Sequence, residues 1–176
     1  MRLFLALNLD FATRNAVLAA QAELKTRSVS GNFTVPENLH LTLAFLGEVE
    51  PLRKKELLSL LEFSPEGPLS LVLSGMGVFP RGSEGLYWIG TRPDSLLRDL
   101  VRELRKRLAA AGFPFDPKPF SPHLTIGREV SLRPEWIGKP LPAFPDRTFV
   151  PSRISLMESL REDGKLVYLE VGKKLL

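Results

Sequence analysis

The sequence predicts an α+β protein of two pseudo-symmetric lobes, with mainly antiparallel sheets, helices on the outside and a central cleft. Three observations lead there. The order strand, capped helix, loop, His-Leu-Thr strand occurs twice, and its two histidines, His40 and His123, stand 83 positions apart. Two apolar runs near the C-terminus flank Asp163-Gly164, a hairpin signal that joins neighbouring strands antiparallel. Irregular stretches precede both His strands, unlike the short connections of a parallel strand–helix–strand sheet. The whole chain, residues 1–176, reads as one domain built from this internal repeat.

Each element has a local reason. Arg2–Leu9 alternates like a strand, falls well short of the roughly 20 apolar residues that span a bilayer, and lacks a small-residue cleavage site. It therefore reads as the first strand of a cytoplasmic protein. Asp10 can cap a helix over Phe11–Lys25 by accepting the free amides of its first turn. A loop over Ser28–Asn38 leads to a strand over His40–Phe45 that ends at Gly47, and Pro51 suits the first position of a helix through Glu62. Leu69–Phe79 and Gly85–Arg92 read as strands, and Asp94 caps a strongly periodic helix to Ala111, closed by Gly112. After a second loop come the strand His123–Arg128, a proline-rich stretch over Pro134–Pro145, and the hairpin strands Ser152–Leu160 and Leu166–Val171.

Composition narrows the function. The chain has no cysteine, which excludes disulfides, thiolate metal sites and a cysteine nucleophile. Its net charge of +4 favours an anionic partner. Fifteen prolines and a single glutamine, Gln21, fit a heat-adapted protein.

The chemistry sits in His40-Leu41-Thr42-Leu43 and His123-Leu124-Thr125-Ile126, which use every histidine in the chain. On a strand, residues two apart share a face about 6.7 Å from each other. His40 and Thr42 are expected to project together, with Leu39, Leu41, Leu43 and Phe45 toward the core; His123 and Thr125 pair likewise over buried Leu124 and Ile126. The next residue on each polar face, Ala44 or Gly127, is small and leaves room for a substrate. Imidazole changes charge near neutral pH, so one ring can take a proton from an attacking water while the other protonates a leaving oxygen. Threonine hydroxyls can donate to the non-bridging oxygens of a phosphoryl group. Taken singly, a His on a half-buried strand is an ordinary structural residue, and Thr is an ordinary strand former. Two copies in equivalent places point to catalysis on a phosphoester. Zinc would need three or four ligands; two histidines with no cysteine and no carboxylate on the same strand face do not supply them, so no metal is expected.

At these residues the sequence resembles the 2H phosphoesterase superfamily, and more narrowly the RNA 2′,3′-cyclic phosphodiesterases, also called 2′-5′ RNA ligases. Asn38–Gly47 is similar to that family's first motif and Pro119–Arg128 to its second; Arg2–Ala6 and Leu86–Gly90 are also similar. The resemblance implies a bilobal fold, a cofactor-free reaction, and hydrolysis of RNA-terminal 2′,3′-cyclic phosphate to a 2′-phosphomonoester. It implies His40 as proton donor to the leaving 3′ oxygen and His123 as the proton acceptor that activates water. Run in reverse with a 5′-hydroxyl, the same groups would form a 2′-5′ linkage. It also implies that Arg128 helps hold the phosphate with Thr42 and Thr125. Strict alternation puts Arg128 on the face opposite His123, so it needs a bulge to reach the cleft; otherwise it is a strand-end arginine in solvent.

The partners expected are therefore RNA ends or nucleotides bearing a 2′,3′-cyclic phosphate, with no membrane and no cofactor, and the protein is expected to be a monomer. Two alternatives stay open: a non-catalytic RNA-binding module, and the same chemistry on a small cyclic nucleotide. The basic run Arg98–Arg107 reads as the solvated side of a helix whose apolar positions 97, 100, 101, 104 and 108 face the sheet. Tyr87, Trp88 and Tyr168 read as ordinary strand aromatics.

Overall fold

The computed structural model of the protein describes residues 1–63 and 68–176. The elements, in order, are β1 (Arg2–Asn8), α1 (Phe11–Thr26), β2 (Ser28–Phe33), β3 (His40–Glu48), α2 (Lys54–Ser59), β4 (Leu71–Arg81), β5 (Glu84–Thr91), α3 (Ser95–Ala110), β6 (His123–Leu132), β7 (Arg147–Phe149), β8 (Arg153–Glu162) and β9 (Lys165–Leu175). They form a four-stranded sheet in the order β3-β1-β8-β9 and a five-stranded sheet in the order β2-β6-β5-β4-β7. Every described strand pair is antiparallel. The α+β architecture expected from the repeat is the one observed.

Each half of the chain lends a strand to the other. β4, from the first half, pairs with β5 of the second, and β8, from the second, pairs with β1 of the first. The sheets thus share the arrangement His strand, repeat strand, exchanged strand, with β2 added outside β6. A lobe is therefore not a contiguous half of the sequence. β1 shows the consequence in its burial: Leu3, Leu5 and Leu7 enter the main core, while Phe4 and Ala6 are buried on the other face with Met157 and Tyr168. A strand covered on both faces reads as a continuous apolar run, as Arg2–Leu9 does.

Helices α1 and α3 open where the caps predict. Asp10 Oδ1 accepts from Thr13 N at 2.7 Å, and Asp94 Oδ1 accepts from Leu97 N at 2.7 Å. α3 buries Leu97, Leu100, Val101, Leu104 and Leu108, the five apolar positions read from periodicity; Arg98 and Arg102 are exposed, while Arg105 and Arg107 are half-buried over Phe115 and Phe63. At the Asp163-Gly164 turn both residues have positive φ, 49° and 77°, as a two-residue primed hairpin requires.

Four expectations need correction. The segment Ser28–Asn38 is not a loop throughout: Ser28–Phe33 is β2, paired to β6, followed by a 3-10 turn over Pro36–Asn38. Its strand signal is weak because tertiary pairing holds it; a Cβ on Gly31 would lie 2.8 Å from Val130 Cγ2. The helix entered at Pro51 begins as a 3-10 turn, and its α-helical part ends at Ser59, short of Glu62. The proline-rich stretch leads into β7, a three-residue strand too short to leave a sequence pattern. Finally, Phe45 does not face the core and Ala44 does not face the cleft: Phe45 is 37% exposed and Ala44 4%. The cause is a β-bulge. Leu5 pairs with Ala44 and Ala6 with Thr42, so Leu43 is an extra residue that inverts the alternation beyond it.

Candidate active site

The second motif carries the same bulge 83 positions later. Trp88 pairs with Thr125 and Tyr87 with Gly127, leaving Ile126 as the extra residue. Ile126 and Gly127 are consequently both buried, and Arg128 comes round to the His123 side as the counterpart of Phe45. A tertiary clamp holds the bulge. Ile126 O accepts from Thr34 N at 3.0 Å and from Gln21 Nε2 at 2.8 Å, and Gln21 Nε2 also reaches Thr34 O at 2.8 Å. The chain's one glutamine is thus buried beneath the site, 3% exposed, with its amide hydrogens paired. In the first motif a distant backbone amide is bonded two residues beyond the bulge, Asp116 N donating to Phe45 O at 3.0 Å.

All five candidate residues, His40, Thr42, His123, Thr125 and Arg128, line one cavity of about 640 Å³ between the sheets. Each imidazole is fixed by the same local device. His40 Nδ1 lies 2.7 Å from Asn38 O, and His123 Nδ1 lies 2.8 Å from Ser121 O, in both cases the carbonyl two residues upstream. A carbonyl only accepts, so both Nδ1 atoms carry hydrogen and both Nε2 atoms are left for the cleft. His40 Nε2 meets Thr42 Oγ1 at 3.0 Å.

Aromatic walls complete the support. His40 packs against Phe4 and Tyr168, with ring centroids 4.8 and 5.2 Å away. His123 packs against Phe79 and Trp88, at 5.4 and 6.3 Å. Phe4 is buried and Trp88 and Tyr168 are half-buried, while Phe79 is 40% exposed; all four sit on strands, where ordinary patterning hides their contact with the imidazoles. The backbone carbonyls of Asn38 and Ser121 leave no signal in a sequence at all. Asn38 also ties the β8–β9 hairpin to the site, its Nδ2 donating to Leu166 O at 2.8 Å.

Burial holds the His40 pKa down, to about 4; the bond to Asn38 O opposes this, and the charges of Arg128 and His123 add to the lowering. His40 is therefore neutral at pH 7. The same depression links the site to folding. The ring binds protons more weakly folded (about 4) than unfolded (6.5), so its contribution to stability is fully present above pH 6.5 and is lost as pH falls toward 4. Unfolding at pH 7 and pH 4.5 should show wild type losing up to about 2–3 kcal/mol more than His40→Gln. Equal losses in the two proteins would mean that His40 is not held neutral.

Among the described residues no three His, Asp or Glu side chains are grouped to hold a metal ion. No described helix is long and apolar enough to cross a membrane.

Comparison with known proteins follows the same lines. The sequence model of the 2′-5′ RNA ligase superfamily matches residues 15–163. A protein of Archaeoglobus fulgidus named RNA 2′,3′-cyclic phosphodiesterase is 41% identical over 140 residues, 77% of this chain and 76% of that one. The protein of the same name from Escherichia coli is 33% identical over 144 residues, 81% of this chain and 78% of that one. The crystal structure of E. coli LigT complexed with 3′-AMP superposes with a TM-score of 0.82 at 29% identity, covering 99% of this chain and 97% of that one.

Proposed function

The chain belongs to the 2′-5′ RNA ligase superfamily, and from that premise we propose that it hydrolyses RNA-terminal 2′,3′-cyclic phosphate to a 2′-phosphomonoester by acid–base catalysis between His40 and His123. One observation carries the reading: the two His-x-Thr strands meet in a single cavity, each imidazole oriented by a carbonyl so that Nε2 is the working nitrogen.

The reaction balances with these groups alone. His123 Nε2 accepts a proton from water as its oxygen attacks phosphorus. The bond from phosphorus to the 3′ oxygen breaks, and His40 Nε2–H delivers the proton that oxygen needs. Thr42, Thr125 and Arg128 donate to the non-bridging oxygens, where charge accumulates. With a 5′-hydroxyl in place of water, the same proton transfers run in the same sense: His123 Nε2 takes the hydroxyl proton, the bond to the 3′ oxygen breaks, and a 2′-5′ linkage forms.

His40 must be charged to act as the acid, yet its surroundings in the protein hold it neutral at pH 7. The substrate resolves this. An anionic phosphodiester about 4 Å from the ring contributes roughly 4 kcal/mol at an effective dielectric of about 20, enough to return the imidazole to the neutral range. The alkaline limb belonging to His40 should therefore lie at higher pH in kcat than in kcat/KM, since one reports the complex and the other the free enzyme. Coincident limbs would contradict this role for His40.

The direct test is incubation in EDTA with an oligoribonucleotide ending in 2′,3′-cyclic phosphate. Conversion to the 2′-phosphate is expected, with the metal chelated throughout. An unchanged substrate, a 3′-phosphate product or restoration only by added metal would each overturn the mechanism. Tight binding without turnover would favour a non-catalytic RNA-binding module instead.

A further inference from the structure

Resting on the phosphodiesterase reading above, we propose that the His40 side of the cleft is an upstream nucleotide subsite. There Arg2 and Arg161 hold the phosphodiester preceding the reacting end, and Phe45 stacks the base attached to it. The preferred substrate is then an oligoribonucleotide end and not a free cyclic mononucleotide.

The cavity does not stop at the reacting groups. Beyond His40 and Thr42 it continues into a second space of about 430 Å³ whose walls include Arg2, Phe45, Ser159 and Arg161. Phe45 reaches this space only because the Leu43 bulge inverts the strand, and its ring is 37% exposed. The Arg2 guanidinium lies 5.1 Å from the Phe45 ring centroid, so a cation and an aromatic face are presented together. Arg161 is anchored at the β8–β9 turn, where its Nη1 donates to Gly164 O at 3.2 Å. Among the described residues neither Arg2 nor Arg161 forms an ion pair with a carboxylate. Unneutralised guanidiniums beside an exposed aromatic face are the chemistry that recognises a phosphate and a stacked base.

The opposite wall differs. Toward β2 the cavity is lined by Asn32, Phe33 and Val35, with the Glu129 carboxylate beside Asn32. An amide, apolar groups and a negative charge suit an uncharged nucleoside better than a phosphate. A cyclic-phosphate end presents one reacting phosphate, one terminal nucleoside and, in an oligonucleotide alone, a further phosphodiester on its 5′ oxygen. The nucleoside therefore lies toward β2, and the extra phosphodiester toward Arg2 and Arg161.

Three substrates separate the possibilities: adenosine 2′,3′-cyclic phosphate, diadenylate ending in the same cyclic phosphate, and that dinucleotide with an uncharged methylphosphonate internal linkage. The ratio of kcat/KM for the charged dinucleotide to that for the mononucleotide should be about tenfold or more, the scale of a hydrogen bond to a charged group. Arg2→Ala, Arg161→Ala and the uncharged linkage should each bring the ratio toward one. A wild-type ratio near one overturns the subsite, as does a ratio indifferent to both the arginines and the linkage charge. If an arginine variant fails to fold, the methylphosphonate comparison on the wild type still decides. Hydrolysis of the mononucleotide alone leaves the phosphodiesterase reading standing without the subsite; hydrolysis of none removes both.

Discussion

Alanine at His123 is expected to lower kcat by about 10²–10⁴-fold, and alanine at His40 by a similar factor. In the proposed mechanism the two rings act on one phosphorus, so the losses should not multiply: a reaction stalled for want of a base gains little from an acid. The double variant should therefore sit close to the worse single variant. Folding should survive both changes. His123 is held by Ser121 O and leans on the edges of Phe79 and Trp88, at the mouth of the cleft. His40 is deeper, and its loss leaves Asn38 O without that partner, a cost of about 1–3 kcal/mol that a domain of this size tolerates. Circular dichroism and thermal melting would establish folding, and single-turnover rates would establish the chemistry. A folded variant that keeps more than a tenth of wild-type turnover removes that histidine from the proton path.

Arg128→Ala carries the second large effect. Loss of one preorganised donor to developing charge typically costs about 10²–10³-fold in kcat. Arg128 also acts on His40 through space, its charge lowering that ring's pKa. Removal should therefore raise the His40 pKa in the free protein while turnover falls. The two readouts move in opposite senses for an acid catalyst, which distinguishes a lost phosphate contact from general damage. Imidazole NMR titration beside kcat measures both. If turnover is within threefold of wild type, Arg128 is a strand-end arginine facing the cleft without work to do there. Arg128→Lys restores the charge but not the fork of donors, so it should recover the His40 pKa more fully than the rate.

The helices were legible in the sequence because their signals are local. Asp10 and Asp94 sit within three residues of the amides they cap, and the apolar stripe of α3 is a periodicity any window reveals. The candidate site was legible for a different reason: the chain contains only two histidines, and both open the same tetrapeptide pattern. What failed was the assumption of unbroken alternation. It put Phe45 in the core and left Arg128 undecided, because a bulge adds a residue without any marker in a run such as Leu-Thr-Leu-Ala-Phe. Strand β2 was missed because Ser-Val-Ser-Gly-Asn-Phe pairs with β6 through its backbone and has little apolar pattern of its own.

Taken alone, the sequence determined the α+β class, the repeat, the helix boundaries near their caps, and the four side chains His40, Thr42, His123 and Thr125 as a set. Each follows from spacing along the chain, which composition and periodicity encode directly. Folding adds the exchange of β4 and β8 between the halves, the matched bulges that bring Phe45 and Arg128 into the cleft, and the carbonyls of Asn38 and Ser121 that set the imidazole tautomers. These depend on backbone groups and on residues as distant as Gln21 and Ile126, 105 positions apart. A hydrogen bond between a side-chain amide and a remote carbonyl has no period, so it becomes visible when the chain is folded and not before.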